Sequence, residues 1–119
     1  MTAPIPARTP EDLTRLFLER ANAADIEGLL ALYEPDAVLD RGDGTLAVGT
    51  AAIRQFFTEI LADRPHFTPG ETAPVLRAGD LALTSTRLDD GSTTAEVARR
   101  QPDGTWRFAI DQPTIARGA

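Results

Sequence analysis

The hydrophobic pattern of this chain changes period once, near residue 74, and no other feature of the sequence constrains its fold as tightly. Upstream, apolar residues recur at intervals of three and four, as Leu13, Leu16, Phe17 and Ala21 in one segment and Ile53, Phe56, Phe57, Ile60 and Leu61 in another. That spacing makes one face of a helix. Downstream, "PVLRAGDLALTSTRL", "TTAEVARR" and "TWRFAI" carry the alternation of strands, with turns at Ala78-Gly79-Asp80, "DDGS" and "QPDG". Helices first and strands afterwards define an α+β domain, with three helices packed on a curved, mainly antiparallel sheet.

The ends of these elements are written locally. Thr9 suits an N-cap, Pro10 the first helical position, and Glu11 with Asp12 place negative charge where the helix dipole favours it. A second helix is expected from Asp25 through Tyr33, with Leu29, Leu30 and Leu32 inward and Pro35 stopping it. "AVLD" at 37–40 reads as a short strand and "RGDG" at 41–44 as a turn. Thr50 is the expected cap of the third helix, and "RPHFTPGETAP" reads as a loop or irregular edge. The opening "MTAPIPARTP" holds three prolines and no apolar run, so residues 1–8 are expected to be a loose arm on a single domain spanning 1–119.

Composition excludes several chemistries. Without cysteine there can be no disulfide, thiolate metal site or thiol nucleophile. One histidine, His66, argues against a multi-histidine metal site or a Ser-His-Asp triad within the chain. All 12 basic residues are arginine, which removes Schiff-base chemistry and the lysine of a phosphate-binding loop. A net charge of -6 disfavours nucleic acid and anionic membranes as partners. No apolar run approaches the ~20 residues of a membrane span, and the expected location is the cytoplasm. No metal and no organic cofactor is expected.

The segment "ANAADIEGLLALYEPDAVLDRGDGTLAVGTAAIRQFF" resembles the opening half of the nuclear transport factor 2-like superfamily, the cone-shaped fold of ketosteroid isomerase and the SnoaL-like polyketide cyclases. The closing "GDLAL" and "RRQPDGTWRFAIDQP" are similar to a branch of small bacterial proteins in that superfamily, and the likeness covers roughly residues 10 to 113. It implies an apolar cavity between the helices and the open end of the sheet. The fold hosts isomerases, dehydratases, hydrolases and binding modules alike, so it does not name an activity.

The resemblance also places residues. Counting back from "PDG", the oxyanion acid of the isomerases falls on Glu96, and its phenol partner falls on Phe17, which has no hydroxyl. The general base falls on Arg41, with Asp40 one residue earlier as a displaced candidate. Asp111, sharing a face with Ala109 and Pro113, would look into the cavity beside Glu96, while Trp106, Phe108 and Ile110 would face outward and pack against a second subunit in a homodimer. Tyr33 and Phe57 are expected in the pocket wall, and His66 in a loop over the mouth. The likeness to limonene epoxide hydrolase suggests a further set, Arg87, Asp89 and Asp111, in which one carboxylate activates water and another protonates an epoxide. The leading expectation is acid and base chemistry by carboxyl groups on a small apolar molecule. The alternatives are a non-catalytic ligand-binding module, a dimeric assembly domain, or an epoxide hydrolase.

Overall fold

Thr9 starts the first helix through a reciprocal cap. Its hydroxyl accepts from the Asp12 amide and its own amide donates to the Asp12 carboxylate, both at 3.2 Å. In the computed structural model, which describes residues 4–117, helix α1 spans Pro10–Asn22 and buries Leu13, Leu16 and Ala21 as its periodicity demands. It also buries Arg20, whose guanidinium donates to the carbonyls of Gly28 at 2.8 Å and Ile5 at 2.5 Å. One buried cation therefore fastens α1 both to the next helix and to the chain before it.

That contact corrects the loose arm over residues 4–8. Ala7 is buried, bridges Trp106 in antiparallel fashion, and accepts from the Trp106 amide at 2.9 Å. Residues 1–3 lie outside the described residues.

The second helix, α2, is a single short stretch, Ile26–Leu30, capped by Asp25. It does not run on to Tyr33, because strand β1, Tyr33–Asp40, begins there. The reason is long-range: the Phe108 amide donates to Leu32 O at 2.7 Å, and Tyr33 pairs with Phe108 in a parallel ladder. Pro35 sits inside β1, in the irregular stretch between Tyr33 and Val38 where the ladder is interrupted and a missing amide leaves no partner unsatisfied. Strand β2, Leu46–Val48, returns antiparallel along β1. Helix α3, Thr50–Ile60, follows, and its N-cap is Gly49 rather than Thr50. Gly49 has φ 86°, a conformation glycine takes without the strain a side chain would bring.

The remaining strands are β3 Glu71–Thr72, β4 Leu76–Ala78, β5 Leu81–Thr84, β6 Thr86–Arg87, β7 Thr93–Arg100 and β8 Trp106–Ala116. The main order is β2-β1-β8-β7-β5-β4, with β6 joining β7 and carrying β3. Only β1 and β8 pair in parallel, so the sheet is mixed but mainly antiparallel. The helices pack on one face over a core that includes Leu13, Leu29, Leu39, Ile53 and Phe57.

One irregularity decides what β8 presents. Ala98 faces Phe108 and Val97 faces Ile110, so Ala109 is the extra residue of a bulge. A bulge shifts the phase of alternation, and as a result Trp106, Phe108 and Asp111 all point to the helix side. The expected outward row is thereby corrected: Trp106 and Phe108 are 6% and 3% exposed and belong to the core, while Ile110, at 49%, is the member that faces out.

The outer face nevertheless carries an apolar row of different membership. Val48, Val38, Ile110, Val97, Leu83 and Leu76 are successive cross-strand partners on six neighbouring strands. Val48, Ile110, Leu83 and Leu76 are all exposed.

Candidate functional site

The inner face of the sheet and the helices enclose a cavity of about 720 Å³. α1 contributes Phe17 and Leu18, α3 contributes Phe56 and Phe57, and the sheet contributes Leu39 and Phe108. These walls are apolar because each residue is the inward member of a helical or alternating pattern. Phe57 sits at the centre of the aromatic packing, with ring centroids 5.9 Å from Phe17, 5.8 Å from Tyr33 and 5.3 Å from Phe56.

Two carboxyl groups on neighbouring strands break this apolar lining from the sheet side. Glu96 of β7 and Asp111 of β8 are direct cross-strand partners, and both line the cavity. Asp111 is buried, and it accepts a hydrogen bond from the Tyr33 hydroxyl. Burial, followed by the nearby Glu96 charge, pushes the Asp111 carboxyl up to about 7, against the opposing pull of the Tyr33 hydrogen bond. Glu96 accepts from the Thr84 hydroxyl at 2.6 Å. Burial raises its pKa as well, over the opposing hydrogen bonds from Thr84 and Thr94. Tyr33, expected in the pocket wall, is instead buried and does not line the cavity, and burial together with the Asp111 charge holds its hydroxyl protonated well above its ordinary range.

The arrangement is an acid pair of unequal surroundings. Asp111 is sealed against Tyr33, and Glu96 is held by threonine hydroxyls. Near neutrality Asp111 divides its population between the neutral acid and the carboxylate, so as the neutral acid it can donate a hydrogen bond to an oxygen. The other ionisable residues lining the cavity are Glu11, Arg15, His66, Asp89 and Asp90. Arg15 is spent on Asp12 and Glu19 at the surface. Among the described residues no group of three or more His, Cys, Asp or Glu side chains is placed to hold a metal ion.

The mouth is framed by the loop after α3. Thr68 donates to the Asp89 carboxylate, and Asn22 at the end of α1 exchanges two hydrogen bonds with the Phe67 backbone, at 2.9 and 2.7 Å. His66 belongs to this rim and is exposed.

The sequence-based site is therefore assembled only in part. Glu96, Asp111, Phe17, Phe57 and His66 do line one cavity. Asp40 and Arg41 do not, because they form the β1–β2 hairpin, where the Asp40 carboxylate accepts from the Gly42 amide at 2.9 Å and the Arg41 amide donates to Thr45 O at 3.1 Å. Ala109 is consumed by the bulge and does not line the cavity. The Arg87, Asp89 and Asp111 set is not brought together either. Arg87 is exposed and absent from the lining, since Thr86 is the inward residue of β6, and Asp89 lies at the exposed rim.

Tyr33 is the residue whose contact with the acid pair the sequence hides. The phenol absent at Phe17 is supplied from the start of β1, delivered by the parallel pairing of β1 with β8.

The family follows from comparison. The SnoaL-like domain profile matches residues 14–118, and the chain belongs to that family, within the nuclear transport factor 2-like superfamily. Among solved structures, a candidate calcium/calmodulin-dependent protein kinase type II association domain from Thiobacillus denitrificans is similar at TM-score 0.75 and 17% identity, covering 93% of this chain and 96% of that one. A ketosteroid isomerase-like protein from Erwinia carotovora atroseptica is similar at TM-score 0.68 and 21% identity, covering 86% and 89%. A nuclear transport factor 2-like protein with a cystatin-like fold from Novosphingobium aromaticivorans is similar at TM-score 0.63 and 22% identity, covering 85% and 75%. At such identities the likeness shows the fold alone. Among curated proteins, none matches the chain.

Proposed function

We propose that this protein binds a small, largely apolar carbonyl compound and moves a proton on it, as an isomerase or cyclase would. The observation that carries this reading is the Glu96–Asp111 pair, two carboxyl groups whose pKa values burial raises, facing one another across neighbouring strands in an apolar cavity. Glu96 as the carboxylate takes a proton from the carbon beside the carbonyl. Asp111 as the neutral acid, oriented by Tyr33, donates to the carbonyl oxygen as charge develops there. The roles reverse when the proton returns at another carbon, so the step is balanced without a further reactant.

The test is deuterium exchange at the carbon beside the carbonyl of 2-tetralone in deuterated buffer, followed by NMR. Exchange above the buffer rate that disappears in Glu96→Gln is expected. Binding of the ketone without exchange would instead favour a non-catalytic ligand-binding module. That second reading draws on one observation: the hairpin of Asp40 and Arg41, where the resemblance implies a base, stands outside the cavity.

The outer apolar row fits a second copy of the same chain. A row that crosses six strands in register presents the same surface to its symmetry mate, which is what an isologous dimer requires. Exposed Leu76, Leu83, Ile110 and Val48 would be covered together, removing an apolar patch that a monomer would leave in water.

A further inference from the structure

Glu96 lines the main cavity, but the hydroxyl that donates to it belongs to a different one. Thr84 lines a second, smaller cavity of about 290 Å³, whose walls include Thr14, Thr72, Val75 and Ser85. Its Oγ1 donates to Glu96 Oε1 at 2.6 Å. The two cavities share Glu11, Thr14 and Thr72 as a partition, so the Thr84–Glu96 hydrogen bond passes from one space into the other.

The two spaces differ in chemistry. The main cavity is walled by Phe17, Phe56, Phe57 and Phe108, which an apolar molecule would fill and dry. The side cavity is lined by Thr14, Thr72, Thr84, Ser85 and Glu11, and although Ser85 donates to Thr94 O and Glu11 accepts from Arg77, the hydroxyl and carboxylate oxygens keep lone pairs to offer. A water held there finds the two to four polar partners it needs.

We propose that Thr84 is a positioning residue that joins Glu96 to water in the side cavity, so that Glu96 exchanges its proton with solvent while a bound molecule closes the main mouth. This rests on the reading of Glu96 as the base. After Glu96 has taken a proton, its O–H donates to Thr84 Oγ1, and Thr84 turns its own hydroxyl proton toward the water. Glu96 then passes its proton to Thr84 Oγ1 as Thr84 passes its own to the water, so the net change is one proton from substrate carbon to water, with the Glu96 carboxylate again accepting from the Thr84 hydroxyl. The reverse sequence reloads Glu96. A site with such an outlet suits reactions that trade a proton with solvent, such as tautomerisation with solvent hydrogen incorporated or elimination of water, rather than strict transfer within one molecule.

The experiment uses 2-naphthol as the molecule that fills the main cavity. The proton-exchange rate of Glu96 is read from broadening of its labelled carboxyl carbon signal near its titration midpoint, in wild type, Thr84→Val and Thr84→Ser, each with and without 2-naphthol. With the cavity filled, Thr84→Val is expected to slow exchange on the order of tenfold or more, and Thr84→Ser to restore it. With the cavity empty, the three proteins should exchange alike, because water reaches Glu96 through the mouth. A merely structural role would alter filled and empty proteins equally, and that result overturns the proposal. Equal rates in filled wild type and filled Thr84→Val overturn it too, leaving the proposed function standing. Failure of 2-naphthol to bind wild type overturns both, since no filled cavity would exist for the side route to serve.

Discussion

Tyr33 and Asp111, 78 positions apart in the chain, share a buried hydrogen bond in which the phenol donates to the carboxyl. The pair exists because β1 and β8 run parallel at the centre of the sheet, which sets the start of one strand against the middle of the other. Asp111 would otherwise stand buried opposite Glu96 with no donor of its own, an arrangement that like charges make costly.

Stability should fall as pH rises through the titration of Asp111. Its folded pKa, about 7, lies above the ~3.9 of an unfolded aspartate, so the folded state holds more protons between those values. The contribution is fully present below the unfolded pKa and is lost as pH approaches and passes 7. Asp111→Asn cannot titrate and should gain on wild type by a few kcal/mol between pH 4.5 and 8. Urea unfolding at the two pH values measures this, and a constant difference between the two proteins would remove Asp111 as the cause.

Tyr33→Phe keeps the ring in its aromatic setting and removes only the donor. The Tyr33 hydrogen bond lowers the Asp111 pKa, so its loss should raise that pKa further. A carboxyl-detected NMR titration reads the shift directly. A stability loss of about 1 kcal/mol should accompany it, and an unmoved Asp111 titration would separate the two residues.

Arg20→Met keeps the buried stem and deletes the donors to Gly28 O and Ile5 O. Two carbonyls left without their charged partner should cost about 2–4 kcal/mol, measured by urea unfolding at fixed pH. A loss within ±0.5 kcal/mol, the range of ordinary surface changes, would mean that the chain before α1 is held by other contacts.

The dimer face is tested by Leu83→Glu. Leu83 is 45% exposed, so the substitution places a charge on the outer row without entering the core. Wild type should sediment as a dimer and the variant as a monomer. A monomeric wild type, or a variant dimer as tight as wild type, would remove this row as an interface.

What the sequence made legible is what short-range physics controls. The Thr9-Pro10 start and the apolar stripes of α1 and α3 are local signals, and the structure keeps them. Glu96 was within reach because the resemblance to the isomerases could be counted back from the tight turn at Pro102–Gly104 along an uninterrupted stretch of β7. Strand β2 escaped notice because three residues are too few for a pattern, and β1 was legible only over 37–40 because Pro35 looks like a terminator until the interrupted ladder around it is known. The Tyr33–Asp111 contact has no local trace at all. The orientation of β8 had one: Trp106 and Phe108 stand in one parity, Asp111 and Pro113 in the other, and both sets point inward only if an extra residue lies between them.

That extra residue, Ala109, works as a switch of phase inside one strand. Ahead of it, inward positions feed the packing of Trp106 and Phe108, and beyond it they feed the acid of the cavity and, on the opposite side, Ile110 of the outer row. Core, chemistry and exterior are thus set by a single count along the chain. Were Ala109 instead paired in regular alternation, the carboxyl would turn outward and an isoleucine would take its place, exchanging a polar interior for an apolar one without any change of residue type at either position.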